Sequence, residues 1–285
     1  MRILHVCAGW EDTNGAAVIA QRIAERQAAG GDEVSFATWA SPAALRRADE
    51  VWTHCGWLPC LWWAGLFARR LVRMPEACYD PVRLKYSAWK KRLVRPFERL
   101  FLRRAARVVA TCAAEKDWIE KYEPKAKAEV VDIRGFGWGP NVIIQVRPKL
   151  SLSTVAPRVL YMGRRHPLKG VRYLEEAVRR LGFGLRVVSD ARGEEKEAAF
   201  EWCDVFCLPT LSENFGIVVA EALSRGKKVV TTDGAPAWAN GAGPAAAPGA
   251  ELVYLKGYLA AGDETRVAML VDALAAAAGK KGLEA

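Results

Sequence analysis

Short apolar runs alternate with longer amphipathic stretches along most of this chain. Ile3 to Cys7, Arg107 to Cys112, Arg158 to Met162, Leu185 to Val188, Val205 to Leu208 and Lys228 to Thr232 read as strands of a buried parallel sheet. Glu33 to Trp39, Asp49 to His54 and Ala128 to Ile133 read as further strands. Helical periodicity covers Ala16 to Ala29, closed by Gly30-Gly31, and then Ala113 to Tyr122, Gly170 to Leu181, Lys196 to Trp202 and Asn214 to Arg225. Arg83 to Ala106 is a long amphipathic stretch that Pro96 is expected to interrupt, and the tail from Glu264 is Ala-rich and helical. Ala237 to Ala250 reads as a low-complexity loop rather than a core element. Strand-helix alternation in both halves predicts two doubly wound α/β domains, residues 1–145 and 146–285. Between them, Arg134 to Thr154 reads as a hinge. Its Gly135-Phe-Gly-Trp-Gly139 run is followed by Pro140 and an apolar strand-like segment, so the helix of a dinucleotide fingerprint is missing.

Charge changes this picture in one place. The chain carries +10 overall, and the segment Arg69 to Arg107 carries all of it: thirteen Lys/Arg against Glu76, Asp80 and Glu98. Just upstream lies the aromatic run Trp57 to Phe67. Basic residues beside tryptophans suit an anionic membrane surface, so residues 57–107 are a candidate membrane contact. A core aromatic run beside a solvated basic helix face is the alternative. The longest apolar run, Trp57 to Ala68, is too short to span a bilayer. The chain opens directly on a strand, with no secretory leader expected, and seven irregularly spaced cysteines fit a reducing cytoplasm. No zinc-ligand spacing and no nucleic-acid-binding motif is present, so neither a metal site nor a nucleic-acid partner is expected.

The richest chemistry lies in Leu208 to Leu223. Glu213 and Glu221 stand eight apart, after a buried strand and around an Asn214-Phe215-Gly216 turn. A strand end, a polar turn and a helix start form a natural anion site in an α/β fold. With a rise of ~1.5 Å per residue the two carboxylates would lie roughly 12 Å apart along a helix, about the span of a sugar diphosphate with its ribose. The surrounding pattern, Pro-Thr-x-Ser-Glu-x-Phe-Gly-x-x-x-x-Glu-Ala-Leu, resembles the E-x7-E signature of retaining glycosyltransferases of the GT-B fold, family 4. That resemblance implies two Rossmann-like domains facing across a cleft, the second binding a nucleotide-sugar, and transfer without a metal or other cofactor.

Further segments carry the same resemblance. Gly163-Arg-Arg-His-Pro-Leu-Lys169-Gly170 resembles the family's Gly-Arg…Lys-Gly element. By it, Arg164 and Lys169 neutralise the departing diphosphate, Glu213 orients the donor sugar, Glu221 holds the ribose, and Asn214, Phe215 and Gly216 line the donor site. Asp12-Thr-Asn-Gly-Ala-Ala17 resembles the family's glycine-rich first loop, with Gly15 followed by Ala16 rather than a second glycine. The strand ending in His54 keeps only the second histidine of a His-x-His-Gly pattern. His54 is therefore either a ligand contact or a hydrogen-bonded structural histidine. Thr111 to Lys116 resembles a Thr-Ser-x-x-Glu turn in which Glu115 orients the next helix. The Tyr79 to Lys91 segment and Thr232-Asp-Gly-Ala-Pro-Ala-Trp238 resemble a bacterial surface-polysaccharide subgroup. That likeness implies a glycan or lipid-linked acceptor in lipopolysaccharide or exopolysaccharide synthesis; the expected place is the cytoplasm, with the basic segment and its tryptophans pointing to a peripheral position on the inner face of the cytoplasmic membrane. An epimerase or phosphorylase on the same fold, or a nucleotide-sugar-binding protein without turnover, are the alternatives.

Overall fold

The computed structural model describes residues 1–10, 15–136, 138, 156–243 and 246–279. The chain divides into two compact units, Met1–Phe136 and Gly137–Ala285. The first runs β1 (Arg2–Val6), α1 (Gly15–Ala29), β2 (Glu33–Ala37), α2 (Pro42–Arg47), β3 (Glu50–His54), α3 (Pro59–Phe67) and β4 (Leu71–Met74). It continues with α4 (Pro81–Lys85), α5 (Ala88–Arg104), β5 (Arg107–Ala110), α6 (Ala113–Tyr122) and β6 (Ala128–Val130). The second runs β7 (Arg158–Met162), α7 (Val171–Leu181), β8 (Gly184–Val188), α8 (Gly193–Trp202), β9 (Val205–Leu208), α9 (Ile217–Ser224), β10 (Lys228–Thr232), β11 (Glu251–Leu255) and α10 (Asp263–Ala277).

Each unit holds one parallel sheet. The strand orders are β2-β1-β3-β4-β5-β6 and β11-β10-β9-β7-β8. In both, the first strand pairs with the second on one side and the third on the other. The chain therefore reverses its direction of winding between β1 and β3, and between β7 and β9. The crevice outside the carboxyl ends of such a strand pair is where doubly wound sheets bind ligands. The central strands are buried on both faces, as their apolar runs require: β4 and β9 are buried at every position.

Four expectations need correction. β4 and β11 add strands to those read from the sequence; β4 hides because Arg73 sits in its middle. Pro96 does not break the long helix. The chain turns instead at Tyr86 and Ser87, where Ser87 takes φ 51°, and Pro96 lies inside α5. α9 starts at Ile217 rather than Asn214, because Gly216 has φ 70° and cannot continue a helix toward its N-terminus. The 12 Å axial spacing of Glu213 and Glu221 therefore does not apply, since Glu213 is on the preceding loop. Last, the stretch from Ala237 contributes to the core: Ala237 and Trp238 are buried in a short 3-10 turn. The greater part of the expected hinge, and Asp12 to Asn14 before Gly15, lie outside the described residues.

Candidate active site

The second unit brings three loops together at the carboxyl ends of β7, β9 and β10. The Leu211 amide donates to Leu168 O at 2.7 Å, and the Glu213 amide donates to Gly234 O at 2.7 Å. Buried hydroxyls complete the weave: Thr210 Oγ1 donates to Leu168 O at 3.1 Å and Thr232 Oγ1 to Thr210 O at 2.5 Å. Gly170 makes the closeness possible. It takes φ 64°, and a Cβ there would sit 2.0 Å from the carbonyl oxygen of Pro209. Any side chain at 170 would push the Lys169 loop off the end of β9.

Lys169 and Glu213 form an ion pair across these loops, both side chains largely buried. The second oxygen of Glu213 accepts from the Asn214 amide at 3.1 Å. Arg164 is exposed on the loop after β7, and its guanidinium makes no ion pair with a described residue. Its carbonyl accepts from the Tyr161 hydroxyl at 3.0 Å, which fixes the start of that loop. His166 Nδ1 accepts from the Leu168 amide at 3.2 Å and so caps the turn that carries Lys169. Arg164, Lys169 and Glu213 thus all sit on the two loops that flank the β7–β9 switch point.

Asn214 and Phe215 are buried. The Phe215 ring lies 5.2 Å from both Trp138 and Trp238, and its carbonyl accepts from Trp238 Nε1 at 2.5 Å. These residues shape the turn into α9, whose N-cap Gly216 supplies no side-chain cap for the first helical amides. Glu221 stands in the second turn of α9. One oxygen accepts from Lys196 Nζ of α8 at 2.5 Å, and the other is buried without a hydrogen-bond partner. A buried carboxylate oxygen left unpaired is costly, and a ligand hydroxyl would satisfy it.

Gly15 begins α1 at the end of the loop after β1. His54 ends β3 and is fully buried. Both its ring nitrogens are taken: Nε2 meets His5 Nδ1 at 2.9 Å and Nδ1 meets Glu76 Oε1 at 3.0 Å. His5 Nε2 in turn meets Gln27 Oε1 at 2.8 Å. An amide oxygen only accepts, so His5 Nε2 carries the proton, His5 Nδ1 accepts from His54, and His54 Nδ1 accepts from Glu76. That assignment requires two neutral imidazoles and a protonated carboxyl. Electrostatics agrees: burial lowers both histidines to about 3, and burial raises Glu76 to about 8 against the opposing pull of Cys55 and Arg83. Burial also raises Glu115, which accepts from the Thr111 amide, the Thr111 hydroxyl and the Ala77 amide.

The network holds strained backbone. Cys55, Trp57, Glu76 and Ala77 all have positive φ without being glycine, and all lie just past the ends of β3 and β4. It also has a pH signature. Glu76 binds a proton more tightly folded than unfolded, so its contribution weakens as pH rises from about 4.5 to 8. The histidines bind protons less tightly folded, so theirs weakens as pH falls from 6.5 toward 3. Glu76→Gln keeps a donor to His54 and cannot ionise. Relative to the parent, the variant's stability should therefore rise by up to about 1.4 kcal/mol per pH unit above pH 6.5, levelling off near pH 8, read by urea denaturation of both proteins at each pH.

Sequence reading missed this network, and also a buried ion pair in the same unit. Arg73 of β4 and Glu98 of α5 are both fully buried, 2.9 Å apart. The signal for Glu98 was its isolation, one acid among nine basic residues from Arg83 to Arg104. Among the described residues no cluster of three or more His, Cys, Asp or Glu could hold a metal ion, and no helix is long and apolar enough to cross a membrane.

The glycosyl transferase 4-like domain family matches residues 36–133, and the glycosyl transferases group 1 family matches residues 184–276, one in each unit. Among solved structures, Anabaena Alr3699/HepE in complex with UDP-glucose aligns with TM-score 0.60 and 17% identity, over 99% of this chain and 96% of that one. Sucrose-phosphate synthase from Thermosynechococcus elongatus aligns with TM-score 0.67 and 15% identity, over 99% and 92%. WaaG, a glycosyltransferase involved in lipopolysaccharide biosynthesis, aligns with TM-score 0.56 and 14% identity, over 95% and 90%. No curated protein sequence matches this chain. Identities this low carry the fold, and the paired family matches carry the family: the chain belongs to the group 1, GT4-type glycosyltransferases, retaining enzymes of the GT-B fold.

Proposed function

We propose that the second unit binds a nucleotide-sugar at the β7–β9 switch point and that the chain transfers the sugar, with retention, to a lipid-linked glycan. The observation that carries the donor assignment is the unpaired, buried oxygen of Glu221, in the second turn of the helix that follows the Glu213 loop. In this reading the ribose hydroxyls donate to Glu221, the diphosphate lies toward the uncapped start of α9, and Arg164 and Lys169 neutralise its charge. Glu213 draws Lys169 into place and meets the sugar. Gly15, Asn214, Phe215 and Gly216 set backbone positions around the donor, and His54 acts at one remove, by fixing Glu76 and the strained loop after β4.

Transfer then proceeds on one face of the sugar. The bond from the anomeric carbon to the diphosphate breaks, the acceptor oxygen bonds to the same carbon from the same side, and its proton passes to the leaving phosphate oxygen. The chain need supply only charge and position. The exposed basic helix face suits an acceptor anchored in an anionic bilayer, consistent with a lipopolysaccharide or exopolysaccharide product and an enzyme lying peripherally on the cytoplasmic face of the membrane.

A thermal-shift screen against UDP, GDP, ADP and CMP and their sugar conjugates tests the donor site. One nucleotide at about 100 times its dissociation constant should stabilise the protein by roughly 2.7 kcal/mol, and Glu221→Ala should abolish most of that shift. No shift with any of them, or one that the variant keeps, overturns the assignment.

A further inference from the structure

We propose that a cavity in the first unit, separate from the donor loops, binds the phosphate and first apolar segment of a membrane lipid. The inference rests on the membrane reading above and names what that face holds.

The cavity is about 310 Å³, at the lower end of the range for small-molecule pockets. Its wall is aromatic: Trp57, Tyr79, Trp118 and Tyr122, with Leu84. Tyr79 and Tyr122 stack at 4.5 Å, and Trp57 meets each edge-on at 5.7 Å, so the wall is rigid. Its rim is cationic: Lys91, Arg92 and Arg95 from α5 and Lys121 from α6. None of the four forms an ion pair with a described residue. Lys91 and Arg95 lie over the rings of Trp57 and Tyr122, at 5.7 and 5.3 Å, so two of the charges are held at the mouth. Tyr122 is buried, yet its hydroxyl has no hydrogen-bond partner. An apolar wall, one unmet hydroxyl and four cations at the entrance describe a site for an anionic amphiphile. A neutral sugar would leave the four charges unmet, and a free phosphate would leave the wall empty.

The same helix shows where that amphiphile comes from. Trp89, Leu93, Phe97 and Leu100 recur at intervals of four, four and three along α5, and they are 65, 68, 55 and 53% exposed. An unburied apolar stripe on a helix with Lys90, Arg92 and Arg104 beside it has the form of an interfacial helix on anionic lipid. The only acid in that helix, Glu98, is buried against Arg73, so nothing on the face repels phosphate. The stripe and the pocket lie on different faces of α5. Seating the stripe therefore turns the pocket mouth away from the bilayer, and a lipid must rise out of the headgroup layer past the flanking cations to enter it.

Dodecyl phosphate below its micellar concentration is the probe, with dodecyl maltoside and inorganic phosphate as controls, read by calorimetric titration. Saturable binding of dodecyl phosphate is expected, with neither control binding comparably. Ala88 is exposed at the mouth, so Ala88→Trp should plug the site without touching the core and weaken binding at least about tenfold. Lys121→Glu, on the opposite rim, should weaken it similarly. Equal binding of dodecyl maltoside, binding of inorganic phosphate alone, or full binding by both variants overturns the pocket. Flotation with vesicles of phosphatidylcholine, with and without phosphatidylglycerol, judges the membrane reading separately, using Trp89→Ser/Phe97→Ser. Vesicle binding without dodecyl phosphate binding removes the pocket and keeps the membrane face. The converse keeps the pocket and removes the face.

Discussion

Lys169→Ala should slow sugar transfer by about 10²- to 10³-fold while leaving the protein folded. The lysine sits on a turn capped by His166 and held by backbone bonds to Leu211, none of which needs its side chain. Its ammonium reaches over the β7–β9 switch point to Glu213. As the donor's glycosidic bond breaks, negative charge grows on the diphosphate. A positioned cation stabilises that state more than the bound donor, so the loss should fall on kcat more than on KM. Release of nucleotide from the donor is the readout, with a thermal melt to confirm the fold. Lys169→Arg should recover part of the rate, because charge returns with altered reach. Turnover within threefold or so of the parent would remove Lys169 from the chemistry.

Glu98→Ala should cost the first unit about 3–5 kcal/mol. Arg73 would remain, fully buried, with its partner gone. Two of its guanidinium nitrogens, Nε and Nη1, already lack hydrogen-bond partners, so nothing nearby can take the charge. Burial alone would lower the Arg73 pKa, but Glu98 and Tyr79 outweigh it and raise the value above that of a free arginine. Glu98 also accepts from the Trp57 amide and, at 3.2 Å, from Trp62 Nε1, so the loop after β3 and helix α3 each lose an anchor as well. Domains are typically stable by only about 5–15 kcal/mol, so the loss should be plain in urea denaturation. Arg73→Met/Glu98→Leu should be far more stable than either single change, since removing both charges leaves no unpaired ion. A single-variant cost near or below 1 kcal/mol would mean water reaches Arg73.

Strand and helix alternation was legible because buried parallel strands are nearly pure apolar runs: Val205 to Leu208 and Lys228 to Thr232 fall where the pattern puts them. β4 was not, because a single buried arginine makes Leu71 to Met74 look like surface. Pro96 misled for the opposite reason. A helix whose outer face is exposed can accommodate one lost amide, whereas the real break at Ser87 has no proline or glycine to mark it. The residues of the donor loops were readable as a motif. Their closeness was not, since it comes from Gly170 packing on the Pro209 carbonyl and from threonine hydroxyls bonding across loops. The exposed stripe of α5 was present in the spacing of Trp89, Leu93, Phe97 and Leu100. The denser tryptophan run upstream masks it, yet there Trp57, on the loop before α3, and Trp62, within α3, are half-buried, and both bond to Glu98.

The most direct test of the donor site is a crystal structure of the protein soaked with UDP-glucose or whichever nucleotide-sugar the thermal screen selects. Ribose hydroxyls are expected on the free oxygen of Glu221, the diphosphate beside Lys169 and Arg164, and the sugar against Glu213. Density for the nucleotide at any other place, with Glu221 still unpaired, would contradict it.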